Sequence, residues 1–216
     1  MSVILHGYWR SLATFRVRAA LNLKRIAFTE KIVDLSKGEQ FGAQFHALNP
    51  QHVLPLLEHD GLRLTQSLAI MEYLDETFPG QPLLPKDAAG RARVRALAQI
   101  TAADVHPLIV PRVRNYLGSE FSIEEEGRMK WARHWLMVGS EAIEARLAGD
   151  GLSGQFAHGD QVTIADLALV SHVIGARLFK VELDRAPTLE AIANRCLAMA
   201  AFASAHPLQQ PGAPAG

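Results

Sequence analysis

Three stretches of this chain carry residue types, in settings, that suit a small anionic ligand. Ser11, in Trp9-Arg10-Ser11, sits between a short apolar run and the first segment with helical apolar spacing. A hydroxyl at the mouth of a helix can donate to a bound thiolate, and the positive end of the helix favours the same ionised state. Gln66-Ser67 stands in the matching place before a later helix. There Ser67 reads as the N-cap and the free backbone N–H groups can hold a carboxylate. The Gln66 amide both donates and accepts, which suits an amino-acid end bearing ammonium and carboxylate together. Leu54-Pro55 lies where a strand begins. Proline is tolerated there because its missing donor falls outside the ladder, and a cis bond would turn the Leu54 backbone towards another extended chain. Each feature has a plain structural reading too: two helix caps and an ordinary X-Pro turn. Ser11 is not read as a triad nucleophile, since no His and Asp at recognisable spacing accompany it.

The elements that would position these groups follow from periodicity. Residues 3–6 form an apolar strand; Leu12, Phe15, Ala19, Ala20 and Leu23 recur at helical spacing; residues 27–33 return to strand character. Residues 41–48 read as a short helix, and residues 54–58 and 62–65 flank His59-Asp60-Gly61, a strong hairpin signal. A helix over residues 67–78 closes the unit. The order βαβαββα makes residues 1–80 a small α/β layer in which a crossover meets a hairpin. Residues 81–86 read as a Gly/Pro linker, beyond which strand signals vanish. Helices are expected near 88–116, 122–147 and 164–178, with shorter ones near 189–199 and before His206, so residues 87–206 form an all-helical domain. Residues 207–216 read as a loose tail. Thr163 with Asp166 is a capping-box variant and reads as structural. Trp131, Trp135 and Cys196 read as packing residues.

Composition narrows the function classes. The chain has 216 residues, 49% hydrophobic and 20% charged, with Lys+Arg and Asp+Glu equal at 22 each. That balance, without a Lys/Arg stripe, argues against a nucleic-acid or anionic-membrane partner. The lone cysteine, Cys196, excludes an intramolecular disulfide, a CxxC redox pair and a Cys-rich zinc site, and it suits a reducing cytoplasm. No metal centre is expected. The amino terminus carries no basic n-region or long apolar h-region, and nowhere do 18 apolar residues run together.

Taken as a set, Trp9-Arg10-Ser11 with Phe15-Arg16-Val17-Arg18-Ala19-Ala20-Leu21, Ala47-Leu48-Asn49-Pro50, Leu54-Pro55, the run Gln66-Ser67-Leu68-Ala69-Ile70-Met71-Glu72-Tyr73-Leu74, Leu83-Leu84-Pro85, Gly159-Asp160 and Thr163-Ile164-Ala165-Asp166-Leu167 resemble a cytosolic glutathione transferase over nearly the whole chain. The resemblance is greatest to the zeta class, which includes maleylacetoacetate and maleylpyruvate isomerases. It implies a thioredoxin-like amino-terminal domain that binds glutathione, an all-α carboxy-terminal domain contributing a second-substrate pocket, and a homodimer. Carried onto this chain, Ser11 would meet the sulfur and the Leu54 backbone, ahead of cis-Pro55, the cysteinyl unit. Gln66 and Ser67 would take the γ-glutamyl end, with Gln40 and His52 near the glycyl end. Leu12, Asp104, His106 and Arg112 would face the second substrate.

The match thins around that substrate. Zeta enzymes carry Ser-Ser-Cys where this chain has Ser11-Leu12-Ala13, and an arginine where it has Leu178, one residue after Arg177. Only Arg112 remains, beside Ile109-Val110-Pro111, of a basic pair found in maleylpyruvate isomerases. The expected activity is therefore a glutathione transferase that ionises the thiol for attack on an electrophile. A glutathione-dependent cis–trans isomerase is the alternative within the enzyme class, and a non-catalytic binding or dimerisation module the alternative outside it.

Overall fold

Short strands joined by helices and a tight turn build the first unit of the computed structural model, which describes residues 2–214. Strands β1 (Val3–Gly7), β2 (Phe28–Ile32), β3 (Leu56–His59) and β4 (Leu62–Thr65) form one mixed sheet in the order β2-β1-β3-β4. β1 and β2 run parallel, from Val3↔Phe28 to Gly7↔Ile32, and helix α1 (Leu12–Leu23) is their crossover. β3 is antiparallel to β1 and to β4. Asp60 (φ 48°) and Gly61 (φ 78°) make the hairpin between β3 and β4, where two positive φ values match the strand twist. Helix α2 (Ala43–His46) is shorter than the periodicity suggested. Residues 39–41 form a separate 3-10 turn, and Gly42 (φ −65°, ψ 147°) separates the two. Helix α3 (Ser67–Thr77) follows β4. Leu5, Phe15, Leu21, Leu57, Ile70, Met71 and Leu74 are fully buried. Phe45 of α2 packs with Val33 and Leu56 in a second cluster. This is the α/β layer expected from the element order, and the thioredoxin-like domain that the family resemblance implies.

The second unit, Leu84–Leu197, is helical. The single helix expected over 88–116 is broken. Helix α4 (Ala88–Gln99) passes into a π-helical turn (Ile100–Val105), then α5 (His106–Ile109) and α6 (Pro111–Phe121). Pro107 and Pro111 cannot donate to a preceding turn, and Val110 turns extended (φ −68°, ψ 154°) to admit the second proline. Helix α7 (Glu125–Gly149) starts three residues later than expected from the sequence. Helix α8 (Ile164–Leu178) has the expected bounds, and its residues Ile164 to Ala176 are all buried. Its start is a full capping box. Asp166 accepts from the Thr163 backbone and hydroxyl and from the Ala157 backbone, at 2.7, 2.9 and 2.7 Å. Burial nonetheless raises the Asp166 carboxyl to about 6. His172, on the same helix, shares a 2.8 Å hydrogen bond with Ser140, and burial lowers it to about 4. Helix α9 (Pro187–Leu197) buries Leu189, Ile192, Ala193 and Cys196.

Helix α10 (Ala200–Ala203) belongs to the first unit, together with the chain that follows it. Phe202 packs on Phe15 with ring centroids 6.4 Å apart, and Asn22 donates to Ala201 O and Ser204 Oγ, both at 3.1 Å. Part of the segment read as a loose tail is thus structured. Pro207 is buried at the start of a 3-10 turn, and Gln210 Nε2 donates to Ser204 O at 2.7 Å. Residues 215–216 of that segment lie outside the described residues. Among the described residues no helix is long and apolar enough to cross a membrane, and no group of three or more His, Cys, Asp or Glu side chains could hold a metal ion.

Candidate functional site

Sheet register decides which sequence features meet. His6 of β1 pairs with Leu56 of β3, and Leu56 with Thr65 of β4. β1 and β4 therefore end, and β3 begins, at one edge of the sheet. Just beyond that edge lie the Tyr8–Ser11 turn, Pro55 and Gln66, and the amino termini of α1 and α3 open there. Backbone N–H groups at two helix starts make this edge a natural place for an anion.

Ser11 caps α1. Its Oγ accepts the Thr14 N–H at 3.1 Å, and its own N–H donates to Tyr8 O at 3.0 Å. Accepting at Oγ leaves the O–H of this half-buried residue as a donor. Leu12, the next residue, is 7% exposed and can offer a ligand little beyond its backbone N–H. The peptide bond Leu54-Pro55 is cis, Pro55 is buried and Leu54 lies outside the β3 ladder.

Gln66 and Ser67 differ from their expected roles. Gln66, not Ser67, occupies the N-cap, with φ 67° and ψ 112° and no side-chain capping bond. Ser67 is the first helical residue and is buried. The reason is steric: Thr65 is still in the ladder, so the chain must reverse at one residue to enter α3, and Gln66 takes the unfavourable conformation. A non-glycine residue in such backbone is a recognised mark of functional sites. The exposed Gln66 side chain donates to Gln51 Oε1 at 3.3 Å.

Gln40 and His52 are brought together. His52, itself at φ 56°, places Nδ1 2.7 Å from the Gln40 carbonyl, which can only accept. Its Nε2 lies 3.2 Å from His46 Nδ1, and the two imidazoles stack with centroids 4.8 Å apart. The Gln40 bond assigns the hydrogen to His52 Nδ1, so neutral His52 accepts from His46. Phe41 covers the His52 ring from 5.3 Å. Gln40 Oε1 is buried without a hydrogen-bond partner. Neither His46 nor Gln51 was singled out from the sequence. Their only signal is proximity in sequence to Gln40, His52 and the Asn49-Pro50 turn.

In the second unit the three remaining candidates fall on successive pieces of the broken helix. Asp104 is exposed in the π-turn, His106 half-buried at the start of α5, and Arg112 exposed in the first turn of α6. π-turns often mark functional positions. Arg177 is committed elsewhere: it donates to Asn194 Oδ1 at 2.6 Å and Glu190 Oε1 at 3.3 Å. It does not replace the cation absent at Leu178. Arg114, not anticipated, lies 5.2 Å over the Phe179 ring and donates to Ile109 O at 3.0 Å.

Comparison with known proteins agrees with this architecture. Residues 1–76 match the family model of the glutathione S-transferase amino-terminal domain. A probable maleylacetoacetate isomerase of Vibrio cholerae is 43% identical over 215 residues, 99% of this chain and 99% of its own length. A maleylacetoacetate isomerase of Methylobacterium extorquens AM1, crystallised with malonate and glutathione, superposes with a TM-score of 0.96 at 46% identity, covering 98% of this chain and 100% of its own. The holo structure of a maleylpyruvate isomerase, described as a bacterial zeta-class glutathione S-transferase, gives a TM-score of 0.95 at 41% identity over 98% and 100% of the two chains. With similarity at this level along its whole length, the chain belongs to the glutathione S-transferase family, in the zeta-class branch of maleylacetoacetate and maleylpyruvate isomerases.

Proposed function

We propose that this protein binds glutathione at the sheet edge of its first unit and uses Ser11 to hold the thiol as thiolate for attack on an electrophilic small molecule. The observation that carries the reading is the convergence at that edge of the Ser11 hydroxyl, cis-Pro55 and two helix amino termini. The γ-glutamyl carboxylate meets the α3 amides at Ser67 with Gln66 beside it. The cysteinyl backbone pairs with Leu54, and Gln40 and His52 flank the glycyl end. The Ser11 O–H then donates to sulfur and the α1 dipole favours its negative charge, so thiolate persists near neutral pH.

Full-length similarity to named isomerases favours one outcome of this chemistry. Thiolate adds to a cis carbon–carbon double bond conjugated to a carbonyl, forming a C–S bond and moving the π electron pair onto the carbonyl oxygen. The former double bond rotates as a single bond. Return of the electron pair then expels thiolate and leaves the trans alkene, so glutathione is regenerated. Asp104, His106 and Arg112 are the polar candidates for the second substrate. Leu12, Ala13 and Leu178, standing where zeta enzymes carry polar groups, favour acceptance of less charged electrophiles as well. The working form is a cytoplasmic homodimer.

Purified protein tests the reading directly. Retention on immobilised glutathione, ultraviolet absorbance of bound thiolate near neutral pH, and glutathione-dependent conversion of maleylacetoacetate or maleylpyruvate to the trans isomer are expected. Conjugation of halogenated aromatics or epoxides without isomerisation would restrict the function to transfer. Binding with neither activity would leave a non-catalytic module and defeat the proposal.

A further inference from the structure

This inference rests on Ser11 as the group that meets the thiol. The turn presenting Ser11 is gripped by a charge pair, Arg18 buried and Glu30 half-buried, to which ligand binding assigns no part. Arg18 of α1 is 1% exposed. Its Nε donates to Glu30 Oε2 at 2.7 Å and its Nη2 to Glu30 Oε1 at 2.6 Å. The same Nη2 donates to Tyr8 O at 3.1 Å, and that carbonyl also accepts the Ser11 N–H. Glu30 reaches this position from β2 across Gly7. A Cβ at Gly7 would collide with Glu30 Oε1 and lie 2.6 Å from Thr14 Cγ2. The absent side chain of Gly7 is thus the space the carboxylate occupies.

A buried ion pair adds little net stability over well-packed apolar residues of the same size. A forked guanidinium–carboxylate pair does supply fixed direction, because both groups are planar and doubly bonded to each other. Here the second N–H of one fork nitrogen, Nη2, is aimed at a single backbone carbonyl, that of Tyr8, the first residue of the turn that ends in Ser11.

We propose that Gly7, Glu30 and Arg18 are positioning residues forming a brace that fixes the Tyr8–Ser11 turn and so aims the Ser11 hydroxyl at the glutathione sulfur. Arg18→Lys keeps the charge but loses the fork, and Gly7→Ala displaces the Glu30 carboxylate while leaving both charged residues in place. Each is measured for folding by circular dichroism, for bound-thiol ionisation by ultraviolet titration, and for kcat and KM with glutathione. Misplacing a reacting group by about 1 Å can lower rate about a hundredfold. The expected result is therefore a fall of kcat towards that size, a thiol pKa moved up, and a KM for glutathione changed less than about twofold, in folded protein. Gly7→Ala provides the reading if Arg18→Lys does not fold. Folded variants that lose thermal stability but keep the parental thiol titration and kcat overturn the brace, leaving Ser11→Ala, which raises the thiol pKa, to uphold the reading beneath it. If Ser11→Ala itself leaves the titration unmoved, both fail.

Discussion

Replacing Ser11 by alanine removes two different interactions whose sizes can be set apart. The first is the cap: Thr14 N loses its 3.1 Å acceptor. An N-cap serine replaced by alanine costs about 1 kcal/mol. For a chain of 216 residues that lowers the melting temperature by about 2–4 °C. The second is the O–H donated to sulfur. A hydrogen bond to a charged group is worth about 1.5–3 kcal/mol. At about 1.36 kcal/mol per pKa unit, its loss raises the bound thiol by about 1–2 units. Ser11→Asp separates the two. Aspartate caps as well as serine and suits the helix start, so stability returns. Its carboxylate has no hydrogen to give and repels thiolate, so the thiol pKa rises further. The assays are thermal unfolding of the free protein and ultraviolet titration of the glutathione complex across pH. If aspartate restores thiol ionisation together with stability, or if alanine lowers stability without moving the titration, Ser11 is a cap and nothing more, and the thiolate argument is refuted.

Other expectations follow from individual contacts. Gln66→Gly relieves the positive-φ backbone and should stabilise the protein by about 1 kcal/mol while raising KM for glutathione; a lower denaturant midpoint would contradict the strain. His46→Phe keeps a ring on His52 but removes its donor, so KM for glutathione should change with kcat held; an unchanged KM would mean that the imidazole pair has no bearing on the ligand. Asp166→Ala strands three donors, each costing about 1–3 kcal/mol when buried and unpaired, and should cost several kcal/mol by urea unfolding. Two buried groups on α8 also make stability depend on pH in opposite senses. Asp166, raised from 3.8 to about 6, contributes stability below pH 3.8 that is lost as pH rises through about 6. His172, lowered from 6.5 to about 4, contributes stability above pH 6.5 that is lost as pH falls through about 4. The slopes oppose each other in the window between. Urea titrations of His172→Gln should show stability falling from pH 4 to 6, and of Asp166→Asn rising; matching profiles would refute the assignment.

Local chemistry was legible where the interacting residues are near in sequence. Ser11 as a cap and the box of Thr163 with Asp166 are contacts over three residues, and the Asp60-Gly61 hairpin is a backbone preference of two. The bounds of α8 are legible because apolar residues are dense from Ile164 to Leu178, just after the Thr163 cap. Apolar spacing continues through Pro107 and Pro111 and predicts one helix over 88–116, but periodicity is blind to the backbone change those residues impose. Residue type points to Ser67 as the cap, serine being the commoner capping residue. The ladder's last residue, Thr65, instead places the reversal on Gln66.

Residue type and short-range spacing suffice to reveal an α/β unit followed by a helical one, and motifs such as Trp9-Arg10-Ser11, Leu54-Pro55 and Gln66-Ser67 carry the family resemblance. Bringing those motifs together depends on contacts between distant elements. Pairing of β1 with β3 and β3 with β4 brings Ser11, Pro55 and Gln66 to one edge across some fifty residues of chain, and no local preference encodes that register. The same holds for Glu30 reaching over Gly7 to Arg18. Their geometry depends on where separate elements dock, which is fixed by burial of the shared core and not by any stretch of sequence alone.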